Sequence, residues 1–174
     1  KPRVGALAMA MKKRVLILQA GNTEPAVAAK LGDYPEWFEK VLAPHAELTV
    51  AKTMDGELPS ADDFDGVLMT GSPQSVSDAK PWMEIAAAYL LQASDTKPVL
   101  GVCFGHQLLG KALGGKVEKN PRGREVGTTE VRLTAEALAD PLFAGLPEKI
   151  LVQQTHEDHV PAIPPGATLY AENP

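Results

Sequence analysis

Four short stretches of this chain are apolar at nearly every position: Val15-Leu16-Ile17-Leu18, Leu48-Thr49-Val50, Val67-Leu68-Met69 and Val99-Leu100-Gly101-Val102. A strand with one wet face alternates apolar and polar side chains. A continuously apolar run is covered on both faces, as in a parallel sheet with helices on either side. The stretches between these runs supply such helices. Pro81 suits a first helical turn, and Trp82, Ile85, Ala86, Tyr89 and Leu90 recur at the spacing of one buried face. Gly21 to Gly32 reads as loop. Pro35 then opens a short helix through Leu42, whose Trp37, Phe38, Val41 and Leu42 are expected against the sheet. Leu108, Leu109, Ala112 and Leu113 predict another helix, stopped by Gly114-Gly115. The alternation describes an α/β chain with a doubly wound, mostly parallel sheet and helices on both faces.

The second half changes character. Val126 to Leu133, Ile150 to Gln154 and Thr168 to Ala171 predict strands of a small antiparallel or mixed extension, with one short helix between Thr134 and Leu146 interrupted near Pro141.

A chain of 174 residues fits one domain that needs no disulfide or metal to build its core. Residues 12–174 are read as that domain and residues 1–11 as an N-terminal extension, with Met11 a natural start. The apolar run before Met11 meets Lys12-Lys13-Arg14 at once, which leaves no room for a signal-peptide cleavage region. No stretch reaches the ~18 consecutive apolar residues of a membrane helix, so no membrane association is expected. Seventeen Lys and Arg against 22 Asp and Glu give a formal charge of -5, which repels phosphate backbones and argues against nucleic acid as a partner. A lone cysteine cannot close an internal disulfide, so a reducing compartment, the cytoplasm, is expected. One Cys and four scattered His have no metal-ligand spacing, and no Walker-type phosphate loop occurs. Neither a metal nor another cofactor is implied.

The chemistry concentrates at Gly101-Val102-Cys103-Phe104-Gly105, where an apolar strand gives way to a helix. A nucleophile on such a sharp turn sits in strained backbone, and its neighbours two residues either side must be small. Gly101 and Gly105 meet that need. A helix N-terminus beside the sulfur favours thiolate over thiol. The N–H of Phe104 is placed to stabilise an oxyanion, with a second donor from Gly71-Ser72-Pro73: the N–H of Ser72, or of Gly71. A cysteine without this context is more often a small buried hydrophobe.

These residues resemble the class I glutamine amidotransferases, in particular stand-alone proteins similar to the amidotransferase domain of GMP synthase. Gly101-Val102-Cys103-Phe104-Gly105-His106-Gln107 matches that family's nucleophile motif, and Gly71-Ser72-Pro73 its oxyanion loop, where Ser72 stands in place of a second Gly. Gln154-Thr155-His156-Glu157-Asp158-His159-Val160 is similar to a later segment that holds the amino-acid end of glutamine. The resemblance implies a flavodoxin-like fold, Cys103 as nucleophile, and Gln107, Thr155, His156 and Asp158 on the substrate side. It also implies glutamine as substrate, with ammonia passed to an acceptor bound by a synthetase or other partner.

The family completes its site with a late His-x-Glu pair, whereas here no His follows His159. Three explanations compete: an incomplete C-terminus, a degenerate homologue, or a local substitute. The first is preferred, because the last strand of the sheet would otherwise be missing. His156 and Asp158 have the spacing to share a strand face and form a substitute dyad, although the family match gives them to substrate. His106 is expected to point away from the sulfur, and His45 carries no motif. Two other readings stay open: a γ-glutamyl peptide hydrolase using the same cysteine chemistry, and a non-catalytic or redox-sensing domain whose elbow thiol meets oxidants.

Overall fold

The four apolar runs form one parallel sheet in the computed structural model, which describes residues 12–173. Its strands are β1 (Lys13–Gln19), β2 (Ala46–Lys52), β3 (Gly66–Met69) and β4 (Val99–Gly101), in the order β2-β1-β3-β4. The extension read over residues 1–11 lies outside the described residues. Register explains why every position of the central strands is apolar. Leu16 pairs with Val67 and Leu18 with Met69, and this row meets the helices α3 (Pro81–Ser94) and α4 (Phe104–Ala112) through Met83, Ala86, Leu90, Ala93, Phe104 and Leu108. The alternate row, Ile17 paired with Leu68, points to the other side and is buried as well. Helix α2 (Tyr34–Leu42) packs against β1 and β2, so both sheet faces are covered as the runs require.

Several local expectations need correction. A helix, α1 (Pro25–Leu31), occupies the stretch read as loop. Pro25 and three alanines favour it, but none of its residues is buried, so no apolar stripe announced it. In α3 the expected face holds except at one edge: Ala86 and Leu90 are buried together with Met83 and Ala93, Trp82 and Tyr89 pack partly buried against the core, and Ile85 faces solvent. Val41, expected against the sheet, is likewise exposed.

The second half contains two small antiparallel sheets. The strands β6 (Glu125–Leu133), β7 (Lys149–His156) and β9 (Ala171–Glu172) pair in the order β7-β6-β9, while β5 (Glu118–Lys119) pairs with β8 (Asp158–His159). The last strand is shorter than the predicted run from Thr168. Between β6 and β7, α5 (Ala135–Ala139) is capped by the Thr134 hydroxyl, which accepts from the Ala137 N–H. The helix stops before Pro141, which opens a 3-10 turn. Among the described residues no helix is long and apolar enough to cross a membrane.

Candidate active site

The chain leaves β4 through Val102, whose N–H still donates to Met69 O at 3.0 Å, and turns at Cys103 with φ 54° and ψ -107°. α4 begins at the next residue, with the Gln107 N–H donating to Cys103 O at 3.0 Å. The strand can meet the helix this closely because two side chains are absent. A Cβ on Gly105 would lie 2.5 Å from Met69 O, and one on Gly101 would collide with the backbone of Gly105 and His106. This is the strained strand-to-helix turn expected from the motif.

Cys103 is the candidate nucleophile and is exposed to solvent. Its protein-facing side is crowded, and this burial is the largest influence on the thiol, raising its pKa. The Phe104 N–H and the positive charge of Arg124 oppose the rise, Asp158 adds to it, and the net position is above the ordinary value. The thiolate preference expected at a helix N-terminus is therefore present as a contribution but is outweighed. Removing Arg124 takes away a contribution that lowers the thiol pKa. Arg124→Gln is therefore expected to move the pH profile of iodoacetamide alkylation to higher pH and to slow the reaction at neutral pH. Because Arg124 is exposed, added salt should mimic part of the effect in the unsubstituted protein. An unmoved profile would show that the arginine does not act on the sulfur.

The loop after β3 approaches from the other side. Thr70, fully buried, accepts the Ala20 N–H at 3.0 Å through its hydroxyl, which donates to Gly71 O at 2.9 Å. Gly21 leaves space for Ser72 and Pro73, since a Cβ there would lie 2.7 Å from the Ser72 hydroxyl. Held in this way, Gly71 comes so near the nucleophile that an added Cβ would be 3.7 Å from Cys103 Cβ. Among the described residues, the N–H groups of Gly71 and Ser72 donate to no protein acceptor. Together with the Phe104 N–H, which works to lower the thiol pKa, the elbow and this loop carry three backbone donors suited to a developing negative charge.

The later segment also arrives at the sulfur, by its backbone. Cys103 Sγ lies 3.9 Å from Thr155 O, while Thr155 Oγ1 accepts from Arg124 Nη2 at 3.4 Å. Gln107 is buried and donates from Nε2 to Asp158 O at 2.8 Å. Asp158 is buried behind the site and takes hydrogen bonds from Ser75 and Val76. His156 Nε2 lies 3.1 Å from Glu125 Oε2, on a carboxylate that also accepts from Thr129 and Asn173. The possible dyad of His156 with Asp158 is thus not formed, because each side chain has another partner. Burial, followed by the neighbouring His156 charge, lowers the pKa of His106. Among the described residues no imidazole hydrogen-bonds the sulfur, and no cluster of three or more His, Cys, Asp or Glu is placed to hold a metal.

Sequence reading missed Arg124, Glu125 and Ser75. Arg124 precedes β6 and Glu125 opens it, with no spacing rule linking either to residues 103 or 156. Ser75 lies only three positions past Ser72, inside a stretch that a turn alone explains.

Comparison with known proteins agrees with this geometry. The family described as glutamine amidotransferase class-I matches residues 40–174. γ-Glutamyl peptidase 5 of Arabidopsis thaliana is 28% identical over 167 residues, covering 92% of this chain and 66% of that protein. The glutamine-hydrolysing GMP synthase of Aeropyrum pernix is 37% identical over 133 residues, covering 76% of this chain and 24% of that protein. This chain thus spans just under two thirds of the peptidase and about a quarter of the synthase. The crystal structure of a glutamine amidotransferase from Methylobacillus flagellatus superposes with a TM-score of 0.75 at 29% identity, over 93% of this chain and 62% of that one. The parallel sheet, the cysteine elbow and these matches lead to one assignment: the chain belongs to the class-I glutamine amidotransferases.

Proposed function

We propose that this chain performs the glutaminase step of an amidotransferase, with Cys103 as nucleophile. The thiolate adds to the γ-carboxamide carbon of glutamine, and the N–H groups of Phe104 and of Ser72 or Gly71 hold the resulting oxyanion. Collapse breaks the C–N bond as the nitrogen takes up a proton, giving ammonia and a glutamyl thioester. Water then releases glutamate and restores the thiol. In the family a late His-x-Glu pair moves this proton, whereas among residues 12–173 no imidazole hydrogen-bonds the sulfur. Gln107 and Thr155 shape the glutamyl side of the site, with His156 next to Thr155 at the end of β7. Ammonia passes to an acceptor activated by a synthetase partner, and a reducing, cytoplasmic setting suits the lone thiol.

The observation that carries this reading is an exposed cysteine in strained backbone at the β4–α4 junction, flanked by uncommitted N–H groups. Its test is labelling of the intact protein by 6-diazo-5-oxo-L-norleucine, a glutamine analogue that alkylates such thiols. Labelling of Cys103 that glutamine suppresses is expected. Labelling indifferent to glutamine overturns the reading and favours a redox-sensing thiol.

A second reading, γ-glutamyl peptide hydrolysis, draws support from the coverage of more than nine-tenths of this chain by two Arabidopsis γ-glutamyl peptidases. The attack is the same and only the leaving amine differs. Glutamate release from glutamine, measured beside cleavage of glutathione-type conjugates, separates the two.

A further inference from the structure

We propose that Asp158 is a positioning residue that fastens the loop bearing the oxyanion donors to the nucleophile helix, an inference that rests on the reading of Cys103 as nucleophile. The residue is only 3% exposed. Oδ2 accepts from the Ser75 hydroxyl at 2.5 Å and from the Val76 N–H at 3.1 Å, across 83 and 82 positions of sequence. Its own carbonyl accepts from Gln107 Nε2 at 2.8 Å, and the Gln107 N–H donates back to Cys103 O. One residue therefore joins the 70–78 loop, α4 and the β7–β8 corner, whose Thr155 O faces the sulfur.

The arrangement is costly in two ways, and both weigh against a packing role. Among the described residues, Oδ1 is buried with no hydrogen-bond partner. Burying a carboxylate so incompletely paired is unfavourable. Its charge also works against ionisation of Cys103. What the carboxylate supplies is an acceptor for two donors of one loop. Thr70 pins that loop at its start and Asp158 pins it at residues 75 and 76. The free N–H groups of Gly71 and Ser72 lie between the two anchors, and Gly71 borders Cys103.

The test compares two reactions at the same sulfur in the intact protein. Alkylation by iodoacetamide is a displacement that forms no oxyanion. Acylation by a γ-glutamyl p-nitrophenyl ester passes through one, and its leaving group departs without a proton. Asp158→Ala and Ser75→Ala are each expected to slow acylation by about 10²-fold, the usual effect of misplacing an oxyanion donor. Alkylation at equal thiolate fraction is expected to be unchanged in both. Asp158→Asn keeps an acceptor and should recover most of the acylation. Because it removes the negative charge, it should also shift the thiol titration to lower pH. Parallel losses in both reactions would mean general disruption of the elbow, and no loss in either would mean that the loop needs no anchor; each overturns the proposal. Absence of acylation in the unsubstituted protein would instead sink the underlying reading of Cys103.

Discussion

Gly101→Ala is expected to destabilise the protein by about 3 kcal/mol or more, the upper range for overpacking. Gly105→Ala should behave similarly. The added methyl of Gly101→Ala would collide with the carbonyl carbon of Gly105 and lie 2.5 Å from its oxygen and 2.6 Å from the His106 nitrogen. All three are backbone atoms in the first turn of α4, so no side-chain rotation relieves the contact. In Gly105→Ala the methyl meets Met69 O at 2.5 Å and Met69 C at 3.1 Å, in the strand on which the elbow rests. Relief in either case requires separating α4 from the sheet, which would uncover Phe104 and Leu108. Gly71→Ala is the internal control, because its methyl would rest 3.7 Å from Cys103 Cβ, an ordinary contact. It should cost less than about 1 kcal/mol. Urea unfolding midpoints decide the matter, and three equal midpoints would show that the glycines at 101 and 105 are not required by the close approach.

The same steric logic explains why the elbow was legible in the sequence. Glycines on both sides of a lone cysteine, at a strand-to-helix junction, leave few packing solutions, and the chain adopts the expected one. The central strands were legible because burial on two faces writes itself as unbroken apolar runs. α1 was not, since none of its residues is buried and only a packed face imposes a period. The exposed Ile85 shows that the edge of a buried face is harder to read than its centre, because that edge depends on where α4 sits against α3. The anchors of the site were hidden for a different reason. Ser75 meets Asp158 across 83 positions, and Arg124 meets Thr155 across 31. Nothing local in a sequence encodes such pairs. Thr155 is instructive, because resemblance pointed to the residue whereas its contact with the sulfur is made by the backbone carbonyl.

Cys103→Gly is expected to be more stable than Cys103→Ala by about 1 kcal/mol, while both lose all labelling by the glutamine analogue. The loss of labelling is complete because the chain contains no other cysteine. The stability difference follows from the backbone. Residue 103 holds φ 54° and ψ -107°, a conformation in which any side chain crowds its own peptide. Such strain costs about 1 to 3 kcal/mol. Alanine keeps it, whereas glycine releases it and gives back part of the gain through the larger entropy of its unfolded chain, about 0.4 to 1 kcal/mol. Comparing the two variants removes the sulfur from both sides, so the difference reports the turn itself. A glycine variant no more stable than the alanine variant would mean that the turn holds no strain. If the ordering is as expected, a side chain at this position is kept against the preference of the fold, and its use must lie in what the exposed sulfur does beside the free N–H groups of the neighbouring loop.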